Sequence, residues 1–113
     1  MAETYTAGSW KVKAGEEREF VDAWREFASW ASGKPGVGTL RLTRDLGEQG
    51  RFFSFAPWES IEAIQAWKGS DDFKERIGRV KAHTDDFKPS ELELETAVGG
   101  GTYVPQEPQP VGG

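Results

Sequence analysis

An α+β fold is predicted for this chain, a single antiparallel sheet with helical segments on one face. Three observations carry it. Stretches of alternating apolar and polar residues near both ends and in the middle read as strands. One long stretch with apolar residues at i, i+4, i+7 and i+11 reads as an amphipathic helix. The order in which these segments fall is β, α, β, β, α, β. The chain has 113 residues, of which 36% are apolar and 12% aromatic, enough for one core but not two.

The first strand is "TYTAGSWKVK", Thr4 to Lys13, with Trp10 and Val12 on one face and Ser9 and Lys11 on the other. In "AGEEREFVDAWREFASWASGKPG" the residues Phe20, Trp24, Phe27 and Ala31 define one helical face, widened by Ala23 and Trp30. Glu16, Glu17 and Glu19 favour the N-terminus of that helix, and Gly33 with Pro35 stops it. "VGTLRLTRDL" sets Leu40 and Leu42 against Thr39, Arg41 and Thr43, and "GEQG" turns it into "RFFSFAPW", which makes a hairpin. Ser60 is placed to cap a short helix running through Trp67. Gly69 ends it, and Ser70 caps a second helix whose Phe73, Ile77 and Val80 share a face. "SELELETAV" alternates Leu92 and Leu94 with Glu91, Glu93 and Glu95 and is read as the last strand. The glutamate row is read as its solvated face.

This order is the ferredoxin-like split βαβ arrangement, with the helices covering one side of the sheet. The third strand is apolar on both sides, Phe53 and Phe55 pointing one way and Phe52 and Ala56 the other. Helices cover only one of those sides. A homodimer with two sheets packed face to face, a dimeric α/β barrel, is therefore expected. The domain is assigned to residues 1–97. From Val98 the chain reads "VGGGTYVPQEPQPVGG", and residues 98–113 are expected to form a flexible tail rich in glycine and proline.

Bulk composition removes several classes of function. The net charge of −5 has the wrong sign for following a phosphate backbone, so no nucleic-acid partner is expected. No apolar run approaches the roughly 20 residues that span a bilayer, and the start lacks the features of a signal peptide. A cytoplasmic protein with no membrane partner is the expectation. Without cysteine, and with His83 as the single histidine, thiolate chemistry and multi-histidine metal sites within one chain are excluded. "HTDDF" sets His83 near Asp85 and Asp86, a weak basis for a metal site, and none is assigned.

Taken together, "WKVKAGEEREFVDAW", "KPGVGTLRLTRD" and "FFSFAPWESIEAIQAWKGSDDF" resemble the antibiotic biosynthesis monooxygenase domain, a family of small dimeric α/β-barrel proteins, over roughly Thr4 to Ala97. The marks are Gly15 opening the first helix, Pro35 and Gly36 before the second strand, Trp58, Glu59 and Ser60 after the third, and Trp67 followed six residues later by Phe73. The resemblance implies oxidation of anthrone-type or quinol-type polycyclic molecules by O2 with no cofactor. Another branch of the family degrades haem, using an asparagine in the first strand, the tryptophan, and a histidine ten residues after it. Here Gly8 or Ser9 stands at the first of those positions and Ile77 at the last, a departure from that branch.

Two roles are open to Trp67, a core aromatic between helix and sheet, or the wall of a pocket that stacks on a flat substrate. Trp10, Trp24, Trp30 and Trp58 are assigned to the core or an interface. Phe73 sits where some catalytic relatives carry tyrosine, and can stack but not hydrogen-bond. His83 is read as a histidine at the solvent edge of a helix C-terminus or as a general base, with Arg76 stabilising the resulting phenolate. The expected site thus comprises Trp67, His83 and Arg76 as catalytic residues. Trp67 and Phe73, with Phe53 or Phe55 as floor, would bind substrate. The expected activity is cofactor-independent monooxygenation of a hydrophobic aromatic small molecule. The alternatives are a non-catalytic dimeric module for binding such a molecule, a purely structural dimer, and an altered haem-binding member.

Overall fold

A computed structural model of the chain describes residues 3–103. The elements are β1 (Thr4–Val12), α1 (Glu17–Ala31), β2 (Arg41–Arg44), β3 (Arg51–Trp58), α2 (Ile61–Lys68), α3 (Asp71–Lys81) and β4 (Thr84–Glu93). The sheet has the order β2-β3-β1-β4, and every pairing is antiparallel. This is the ferredoxin-like α+β arrangement, its second helical region divided in two.

Strand alternation decides which residues meet the helices. In β1 the buried positions are Thr6, Gly8, Trp10 and Val12, and their neighbours in β3 on the same face are Phe52, Ser54, Ala56 and Trp58. Phe20, Phe27 and Ala31 of α1 close over them, joined by Ile64 and Trp67 of α2 and Val80 of α3. Trp24, on the same stripe of α1, is only half-buried.

The helix break has the expected caps. Ser60 Oγ accepts a hydrogen bond from the Ala63 amide at 3.1 Å, and Ser70 Oγ accepts one from the Phe73 amide at 3.1 Å. The Gly69 amide returns to the Gln65 carbonyl, as at an ordinary helix end. Ahead of β2, Gly36 takes a positive φ of 86°, which glycine adopts without strain. Its carbonyl accepts from the Glu59 amide at 2.7 Å, so the Pro35-Gly36 turn is docked against the start of α2.

Two strand boundaries differ from the sequence reading. Regular pairing of β2 begins only at Arg41, although Val37 already bridges to Trp58. Pro57 has no amide hydrogen to return the bond that its carbonyl accepts from the Gly38 amide, so the ladder is interrupted there. β4 starts at Thr84, well before Ser90, and ends at Glu93. Its early part is held by Phe87, whose ring stacks on Trp10 with centroids 3.8 Å apart. The segment "HTDDF" is therefore mostly strand, and Asp85 and Asp86 point to opposite faces.

The faces of β4 are also exchanged relative to the expectation. Leu92 lies opposite Tyr5 on the side away from the helices and is 50% exposed, whereas Glu91 lies opposite Thr6 on the helix side and pairs with Lys68 at 3.4 Å. Phe53 and Phe55 share the outer face with Leu92 and are 43% and 37% exposed. Beyond the sheet, residues 98–103 carry no regular structure, with Val98 and Tyr103 exposed; the rest of the expected tail, 104–113, lies outside the described residues. Among the described residues no helix is long and apolar enough to cross a membrane.

Candidate functional site

Between the helices and the sheet lies a cavity of about 260 Å³. Its sheet side is formed by β1, β3 and β4 through Thr6, Ala7, Gly8, Trp10, Ser54 and Phe87. Trp24 and Phe27 of α1 face it, as do Trp67, Phe73 and Ile77 at the helix break and along α3. Its volume is just under the usual range for small-molecule pockets.

Trp67 is the centre of the aromatic wall. Its ring lies 4.7 Å from Phe73 at a steep 69°, 4.8 Å from Trp58 and 5.7 Å from Phe27. It also borders a second cavity, of about 230 Å³, against Lys34, Pro35 and Glu59. The residue is only 8% exposed, as a core aromatic is, and it also borders this open space. Its indole Nε1 is buried and has no hydrogen-bond partner among the described residues. An unmet buried donor is costly, by about 1–3 kcal/mol, and few structures retain one without a reason.

The other indoles on this face are satisfied in a way that prepares two hydroxyls. Trp10 Nε1 donates to Ser54 Oγ at 2.9 Å, and Trp58 Nε1 donates to Thr6 Oγ1 at 3.0 Å. Each hydroxyl oxygen accepts from a buried indole, which leaves its own hydrogen to donate to a ligand oxygen. Both residues line the cavity. The sequence reading missed them, and their signal was faint, a hydroxyl residue at an inward position of a strand whose other buried residues are glycine or apolar.

Gly8 makes room for this arrangement. A Cβ at that position would stand 2.9 Å from Phe87 Cε1 and 2.9 Å from Ser54 Oγ, closer than such contacts allow. An asparagine there, as in the haem-degrading branch, would require its neighbours to move. Ser9 points to the opposite face, where Arg51 donates to its hydroxyl.

The expectation that Trp67, Arg76 and His83 share one cavity is corrected. Of the three, Trp67 alone lines it. Arg76 stacks its guanidinium over Trp30, 4.9 Å from the ring centroid, on the outer side of the α1–α3 contact. His83 lies past the end of α3, where Nδ1 is 3.0 Å from Glu16 Oε1 and ties the start of β4 to the start of α1. The physical reason is helix pitch: Phe73 and Ile77 are one turn apart on the cavity face, and Arg76 falls off that stripe toward α1. Phe73 does line the cavity. Phe53 does not, and Phe55 borders it although strand alternation sends its side chain to the outer face with Phe53. On the sheet side Phe55 is joined by Thr6, Gly8 and Ser54. The lining contains no carboxylate or imidazole, and its charged members are Lys68 and Lys81. Among the described residues no cluster of three or more His, Cys, Asp or Glu is arranged to hold a metal ion.

Comparison with known proteins adds the family. The antibiotic biosynthesis monooxygenase family model matches residues 5–78, a stretch that includes the Trp67–Phe73 helix break. The uncharacterised protein YczJ of Bacillus subtilis is 32% identical over 65 residues, which span 57% of this chain and 68% of YczJ. SnoaB, a cofactor-independent oxygenase from Streptomyces nogalater, superposes with a TM-score of 0.79 at 15% identity, over 88% of this chain and 100% of SnoaB. A conserved protein from Methanosarcina mazei Go1 gives a TM-score of 0.75 at 14% identity, over 84% of this chain and 95% of its own. At such identities the two structural likenesses establish the fold, and the family rests on the extent of the matched sequence. The chain is a member of the antibiotic biosynthesis monooxygenase family.

Proposed function

We propose that this protein is a cofactor-independent monooxygenase that oxidises a flat, electron-rich aromatic molecule of the quinol or anthrone type with O2, working as a homodimer. The observation that carries the reading is the largely aromatic cavity beside Trp67 and Phe73, whose lining includes two hydroxyls, Thr6 and Ser54, that each already accept from an indole. Trp67 and Phe73 grip the rings, and the Thr6 and Ser54 hydroxyls donate to a ring oxygen. Donation of this kind favours the ionised phenol, the form that gives electrons to O2. At an anthrone methylene one oxygen atom becomes the new carbonyl and the other leaves as water. The electrons released at carbon match those that O2 takes up, so no external reductant is needed. The protein's share is positioning, stabilisation of the anion and exclusion of water.

A second reading, binding without turnover, is favoured by the lack of a carboxylate or imidazole in the lining. Oxygen-electrode measurements with dithranol and a naphthohydroquinone separate the two. Monooxygenation predicts protein-dependent oxygen uptake above the spontaneous rate, with one atom of isotopically labelled O2 in the product, and loss of that uptake in Trp67→Ala. Uptake no faster than without protein, for every substrate that binds, would leave the binding module standing.

A further inference from the structure

The family match ends at Gly78, short of the last turn of α3, and in that turn Lys81 reaches the cavity. We infer that Lys81 binds an anionic substituent of the ligand, so that the cavity selects an acidic aromatic molecule, a hydroxyaryl carboxylate, over a neutral one of the same ring system. This rests on the cavity being the ligand site.

Three observations on charge lead there. The chain carries 19 acidic and 14 basic residues, yet both charged residues lining the cavity are basic. Lys68 is already neutralised, its ammonium 3.4 Å from Glu91. Lys81 is not: its ammonium makes no hydrogen bond or ion pair among the described residues, and the side-chain hydrogen bond made to this residue goes to its backbone carbonyl, which accepts from Thr84 Oγ1 at 2.8 Å. A cation in the last turn of a helix is favoured by the helix dipole, which explains a positive charge there but not its place at an aromatic cavity.

The two lysines are not interchangeable. α3 has 11 residues and spans about 16 Å, with Lys68 preceding its start and Lys81 at its end, so the cations sit toward opposite ends of the helix. A ligand whose ring lies along the Trp67–Phe73–Ile77 wall meets the unpaired cation at one end. Carboxylate on that end of the ring gains a charge-assisted hydrogen bond with little desolvation cost, because Lys81 is an exposed residue.

Binding measured by quenching of tryptophan fluorescence, with no oxygen chemistry involved, tests this with two probes that are identical but for the carboxylate, hydroxynaphthoate and naphthol. Hydroxynaphthoate is expected to bind roughly tenfold more tightly. Lys81→Met should bring it down to the naphthol value while leaving naphthol unchanged, and Lys81→Arg should retain most of the preference. Equal affinity of the two probes in the native protein, or equal weakening of both by Lys81→Met, overturns the role of Lys81 and leaves the cavity as a ligand site. If neither probe binds, the assignment of the cavity itself fails, and this inference with it.

Discussion

Trp67 and Phe73 meet edge to face with their centroids 4.7 Å apart, and one hydroxyl sets that geometry through the backbone: Ser70 Oγ donates to the Trp67 carbonyl at 2.8 Å and accepts from the Phe73 amide at 3.1 Å. Ser70 is the N-cap of α3 and at the same time the clasp on the end of α2. Ser70→Ala removes both bonds at once. We expect a loss of about 1 kcal/mol in urea unfolding, as for other capping serines, together with weaker ligand binding. Unchanged affinity at reduced stability would mean that the cap holds the helix but not the aromatic wall.

Arg76 and His83 lie outside the cavity, and their replacement should leave any oxygen uptake within about twofold of native. Their contributions are structural and small, about 1 kcal/mol for the half-buried Arg76 cation over the Trp30 ring and about 1 kcal/mol for the part-buried His83–Glu16 hydrogen bond. A loss of a hundredfold or more in Arg76→Ala or His83→Ala, with stability intact, would return these residues to the site.

Gly8 stands where any side chain meets Phe87, Ser54 and the Trp10 indole. Gly8→Ala should destabilise the fold by about 1–3 kcal/mol, the usual range for overpacking, and shift the near-ultraviolet dichroism of the Trp10–Phe87 stack. A haem titration extends the point. With no room for an asparagine at Gly8, and with Ile77 where the haem-degrading branch has a histidine ten residues after the tryptophan, no tight Soret shift is expected.

The outer face of the sheet exposes Phe53, Phe55 and Leu92. If two sheets pack on one another through this face, Phe53→Asp with Phe55→Asp should convert a dimer to a monomer in sedimentation velocity while leaving the far-ultraviolet spectrum unchanged. A native protein that sediments as a monomer across the accessible concentration range would remove the dimer from the proposal.

Glu48, in the β2–β3 turn, is held below the ordinary carboxylate pKa chiefly by its hydrogen bond from Lys11, with Arg51 adding to the effect. A lowered folded-state pKa stabilises the fold above the unfolded-state value and ceases to do so as the pH falls through the folded-state value. The difference in Tm between native protein and Glu48→Gln should therefore be present at neutral pH and close on acidification below the usual glutamate range. Because the Glu48 side chain is solvent-exposed, the difference should also shrink in high salt.

How much of this was legible beforehand can be judged element by element. The Ser60 and Ser70 caps, the Gly69 stop and the α1 stripe were readable because each depends on residues within one or two helical turns. β4 was placed late because its opening residues are polar, and what makes them a strand is pairing with β1 and the Phe87–Trp10 stack, both contacts between distant parts of the chain. The Leu92–Leu94 alternation was visible, but which of its two faces turns to the helices is a matter of register, and a shift of one residue reverses it. The site divided in the same way. Trp67 and Phe73 were found because they flank a local break, whereas Thr6 and Ser54 became visible as donors only once Trp58 and Trp10 were seen to occupy their lone pairs.

By itself the sequence determined the element order, the position of the helix break, a third strand apolar on both faces and the family. The first three follow from local propensity and periodicity, which act over a few residues, and the family from the matched motifs. Tertiary structure alone decided which side chains share the cavity: it brought Thr6, Gly8, Ser54 and Lys81 to Trp67 and set Arg76 and His83 elsewhere. The physical reason is that a cavity is enclosed by faces of elements far apart in sequence. Sheet register and the seating of each helix on the sheet select those faces, and both are settled by packing across the whole fold.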